Sequence, residues 1–106
     1  MASKNRDKSA ADIYMMRSVW DTVADLENDY DVDIKIAMWP SERRGAFWLQ
    51  LMAISTYPYT AGTTLESVSI EYPNASTMSF EAQLFRQVNV LGQLLASRPI
   101  PYRLAD

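Results

Sequence analysis

The chain has 106 residues, 48% of them hydrophobic, with three Trp, six Tyr and a formal net charge of −3. That size and composition fit one domain with its own core, and neither a disordered segment nor a pair of domains. The absence of Cys and His removes disulfides, thiolate chemistry, Ser-His and Cys-His catalysis and most ways of building a zinc site.

The opening MASKNRDKSA carries Lys4, Arg6, Asp7 and Lys8 without an apolar anchor, so residues 1–8 are expected to form a flexible basic arm. Polar residues continue where the apolar region of a signal peptide would follow. Later apolar runs are broken by Gln50 and Ser55, or by Gln93, short of membrane-spanning length. An intracellular or cytoplasmic protein without membrane contact is expected, a virion component being one variant.

A single α+β domain is expected over residues 9–98. Ser9 with Asp12 fits a helix N-terminus, and Ile13, Met16, Trp20, Val23, Leu26 or Glu27, and Tyr30 recur at spacings of three and four. This predicts an amphipathic helix over 10–28. The period then falls to two: Val32, Ile34, Ile36 and Met38 alternate with Asp33, Lys35, Ala37 and Trp39, a strand with one face toward the core. Residues 40–45, PSERRG, supply a turn, and Ala46 to Ile54 form a second strand that is apolar on both alternating sets apart from Gln50.

Tyr57 to Gly62 is a loop in which Gly62 is free to take a positive φ. A third strand is predicted at about 64–72, where Val68, Ile70 and Tyr72 alternate with Ser67, Ser69 and Glu71. Pro73-Asn74-Ala75-Ser76 ends it with a polar turn that also fits a glycosylation sequon. The last helix begins between Thr77 and Phe80, with Phe80, Leu84, Val88, Leu91 and Leu95 as its stripe and Gly92 admitting a close neighbour. Pro99 stops it, leaving 99–106 as an extended tail. The fold expected is helix-strand-strand-strand-helix, with a three-stranded antiparallel meander in the order 1-2-3 and both helices on one face.

Putting Gln50 outside places Trp48, Met52 and Ile54 beside it on the outer face of the second strand, next to Trp39 of the first. Contiguous apolar surface of that kind calls for a partner or for a segment folded back over it. The tail, through Ile100, Tyr102 and Leu104, is one cover. A protein partner or a second copy, with a dimer favoured, is the other. The expected interface is Trp39, Trp48, Gln50, Met52 and Ile54, with Asp33, Arg43 and Arg44 at its rim.

The acids Asp21, Asp25, Glu27, Asp29, Asp31 and Asp33 span the helix-to-strand transition with no Lys or Arg among them. Asp29, Asp31 and Asp33 match the first ligands of a helix-loop-helix calcium loop, but the turn Gly is replaced by Ile34 and the closing Glu by Pro40. The acids are expected to be solvated surface, with Asp29, Asp31 and Asp33 discouraging unwanted pairing at the edge of the first strand. Asp21, Asp25, Glu27, Asp29 and Asp31 form the alternative contact surface. Gly45, Gly62 and Gly92 are isolated, so no phosphate loop or nucleotide fingerprint is present. No catalytic residue, metal or cofactor is expected.

The element order resembles the double-stranded RNA-binding domain. Such domains contact RNA with basic residues at the start of the last helix, where this chain reads Ser79-Phe80-Glu81-Ala82-Gln83-Leu84-Phe85-Arg86. One acid and one Arg there, with a net negative chain, do not support phosphate binding, so direct nucleic-acid contact is not expected. Size, acidity and element order are also similar to small inhibitors carried by phages and mobile elements, which implies occupation of a basic nucleic-acid-binding groove on a target protein. The chain looks similar to type III secretion chaperones as well, but lacks the strands those have after their second helix. The leading expectation is a non-enzymatic interaction or assembly protein, with the acidic inhibitor as the alternative.

Overall fold

The computed structural model describes residues 10–98, with side chains described from Met16 onward. The expected arm, the Ser9 cap and the C-terminal tail lie outside the described residues. In chain order the elements are helix α1 (Ala10–Tyr30), strands β1 (Val32–Pro40), β2 (Phe47–Ser55) and β3 (Thr64–Tyr72), and helix α2 (Phe80–Ser97). The strands form one antiparallel sheet in the order β1-β2-β3. The helix-strand-strand-strand-helix expectation is met.

The helix-to-strand switch turns on Asp31, whose φ of 53° is a left-handed value that Asp tolerates better than most residues. Its carbonyl accepts from Thr56 N–H at 2.9 Å, so β1 enters the sheet already paired to the residue that follows β2. α1 thus runs two residues further than its periodicity indicated. At the other end, Ser79 caps α2 by accepting from Ala82 N–H at 3.1 Å, and Arg98 closes it by donating its backbone N–H to Leu95 O at 3.2 Å.

Cross-strand partners share a face of the sheet. Leu49, Leu51 and Ala53 of β2 point toward the helices and are buried, together with Val32 of β1 and with Val19, Val23, Leu84, Val88, Leu91 and Leu95 of the helices. Val68 and Ile70 of β3 pack against this core, and Leu65 joins them where a register shift opposite Ala53 and Ile54 gives β3 an extra residue. Phe47, Tyr72 and Phe80 close the far end as a ring cluster, with centroids 5.0 to 6.0 Å apart.

Two expectations about the core need correction. Trp20 was expected on the buried stripe of α1, but Val19 takes that position at 1% exposure while Trp20 is 52% exposed. Spacings of three and four from Met16 to Val23 fit either residue, because both lie within the apolar arc of a 3.6-residue helix. Ile36 and Met38 do project from the helix-facing side of β1, yet they are 41% and 59% exposed, against 2% for Val32. The alternation gave their side of the sheet correctly. What it does not encode is that the helix layer covers only the beginning of β1.

Candidate protein-interaction surface

Among the described residues, no helix lies on the opposite face of the sheet. That face carries Asp33, Lys35, Ala37 and Trp39 from β1, then Trp48, Gln50, Met52 and Ile54 from β2, then Ser67, Ser69 and Glu71 from β3. The register sets Trp39 directly opposite Trp48 and Trp48 opposite Glu71, while Lys35, Met52 and Ser67 form a parallel row. Trp48, Gln50, Met52 and Ile54 are all half-buried, whereas their alternates Leu49, Leu51 and Ala53 are enclosed. Gln50 therefore chose the outer face of β2 correctly.

Trp39 and Trp48 line a shallow cleft of about 450 Å³ at the hairpin end, walled on its polar side by Ser41, Arg43 and Glu71. Arg43 sits there as a clamp. Its Nε lies 3.4 Å from Glu71 Oε1, its Nη2 donates to Pro73 O, and Ser41 Oγ donates to Glu71 Oε2. These bonds tie the β1–β2 turn across to the end of β3, so Arg43 is committed within the chain. Arg44 is exposed and makes no ion pair among the described residues.

The acids are dispersed. Asp21, Asp25 and Asp29 are exposed along α1, and Asp31 and Asp33 are exposed at the turn and on β1. Glu27 stands apart from them: its Oε2 accepts the backbone N–H of Ile34 at 2.9 Å. The bond caps one outward-facing amide of β1, an edge strand, and so guards the edge in the way expected of Asp29, Asp31 and Asp33. Glu27 lies on the helix flank nearest the strand, within reach seven residues on. Its ambiguity with Leu26 in the helical spacing was the available signal.

Among the described residues no group of His, Cys, Asp and Glu side chains could hold a metal ion. None of the described helices is long and apolar enough to cross a membrane. The apolar surface also continues around the β1 edge, from Trp39 on the outer face to Met38 and Ile36 on the helix-facing side, and these last two were not among the expected interface residues. No family model, no curated protein and no solved structure matches the chain.

Proposed function

We propose that this chain is a non-enzymatic interaction domain that docks a protein surface on the outer face of its sheet. The observation that carries the reading is the outer face itself, on which Trp39 is 42% exposed and Trp48, Met52 and Ile54 are half-buried, with no helix above them among the described residues. Indole and thioether side chains on a rigid sheet suit such docking, since they offer large contact areas that pack adaptably. Trp39 and Trp48 are the anchors, Gln50 supplies a hydrogen-bonding group among them, and Asp33 and Arg44 lie at the rim.

Replacing Trp48 with Ser tests this. The expected outcome is a chain that is folded by far-UV circular dichroism and no longer captures its protein partner in a pull-down from the native host, since truncating an aromatic anchor costs about 2 kcal/mol or more of binding, roughly 30-fold. Partner capture at unchanged strength, or loss of the fold, would give Trp48 a purely structural role.

A further inference from the structure

We infer that the free edge of β1 is a self-pairing edge, on which a second copy of this chain adds its own β1 antiparallel about a two-fold axis at Ala37. The inference goes beyond the outer-face reading and uses a different surface, the edge rather than the face.

The direction of each β1 amide follows from two bonds. Asp31 O is turned inward to Thr56 N–H, and Ile34 N–H is turned outward to Glu27 Oε2. Successive peptide groups of a strand alternate in direction, so Ile36 and Met38 also present N–H and C=O groups along the open edge. Neither amide has a partner among the described residues, and both residues are well exposed. The open stretch is bounded on each side. On one side Ile34 N–H is already taken by Glu27, and on the other Pro40 has no N–H to give.

A two-fold axis at Ala37 matches this pattern. It sets Ile36 against Met38 of the second copy, and each such pair exchanges both of its N–H···O bonds. The next position would pair Ile34 with Pro40, the capped amide with the proline, so every free donor is used and no capped one is disturbed. An axis at Ile36 would require Glu27 to release Ile34, and an axis at Met38 would shorten the overlap and face the Ile36 carbonyl with Pro40.

The side chains agree with the same register. On the helix-facing side Ile36 meets Met38, covering the two apolar groups that the helices leave open. On the outer face Lys35 lies across from Trp39, where its stem covers the indole and its ammonium approaches the ring. Antiparallel pairing also brings the acidic junction of α1 and β1, with Asp29 and Asp33, toward the other copy's hairpin tip, where Arg44 makes no ion pair among the described residues. That charge complementarity favours antiparallel pairing over a parallel arrangement.

The chain has no cysteine, so one introduced thiol reports on one position. At the proposed axis Ala37 faces itself across a non-hydrogen-bonded pair with Cα atoms about 4.5 Å apart, within disulfide range. Lys35 would stand roughly 13 Å from its own copy, four residues away along the strand. Ala37→Cys is expected to form disulfide-linked dimer under mild oxidation at least about tenfold faster than Lys35→Cys, and to do so in the Trp48→Ser background too. Equal rates at the two positions would overturn the register. Met38→Pro removes an outward amide that the intrachain ladder does not use. It is expected to keep the fold and reduce the mass from twice 12.1 kDa to 12.1 kDa. A Met38→Pro chain that remains a folded dimer would overturn edge pairing itself, whatever Trp48→Ser does to the outer face.

Discussion

Gln83 joins the end of the sheet to the second helix through hydrogen bonds that a purely apolar residue cannot make. It is 3% exposed; its Oε1 accepts from Asn74 Nδ2 at 2.7 Å, and its Nε2 donates to Met78 O at 2.9 Å. Asn74 Nδ2 also donates to Glu71 O at 2.7 Å, and Asn74 Oδ1 accepts from Ser76 N–H at 2.9 Å, so the whole β3–α2 connection is organised around two amide side chains. The polar turn at 73–76 was visible in the sequence, but the partner that holds it was not. Gln83 falls on the apolar side of α2 next to Leu84, where nothing local marks an amide as buried. Gln83→Leu should keep the volume and lose the bonds, lowering stability by about 1–3 kcal/mol because Met78 O loses its donor and Asn74 an acceptor. The check is a lower urea midpoint at unchanged slope; an unchanged midpoint would mean that water replaces the amide without cost.

At the scale of elements, the close approach of α1 and α2 depends on Gly92. A Cβ placed there would lie 3.0 Å from Leu26 Cδ2, tighter than ordinary van der Waals contact. This accounts for a glycine inside a helix, where it costs about 1 kcal/mol relative to Ala. Gly92→Val should therefore overpack the helix pair and destabilise by about 1–3 kcal/mol. Shortening Leu26 to Ala in the same chain should return part of that loss, so the double-mutant cycle should show coupling between the two sites; additive effects would place the strain elsewhere. The existence and order of all five elements were legible because the first and third strands keep a two-residue period, the second is a short apolar run and each helix keeps a three-and-four spacing, with Pro and Gly in the turns between strands. The pairing of α1 with α2 was foreshadowed only by Gly92. The choice of Val19 over Trp20 was not legible, since it depends on where the neighbouring helix lies rather than on spacing within α1.

At the scale of the molecule, one helix layer lies on one face of the sheet, enclosing β2 and the start of β1 while leaving the rest of β1 open on both sides. The outer face was legible because a single glutamine distinguishes the two sides of β2. The open edge was not, because coverage of β1 depends on the course of α1 across the sheet, which periodicity does not specify. Among the described residues the outer face has no layer on it and the β1 edge has no strand beside it, so burial that would stabilise a small domain is missing, and association and stability should be linked. If two copies pair, each tenfold rise in concentration adds about 0.7 kcal/mol per protomer, half of the 1.4 kcal/mol that corresponds to a factor of ten. For a domain of this size that amounts to a melting temperature higher by about 3–5 °C per tenfold. Thermal scans over two decades of concentration should show this slope for the native chain and none for Met38→Pro. A native melting temperature independent of concentration would mean that the folded state does not gain from a second copy, and the exposed Ile36 and Met38 would then have to be explained within one chain.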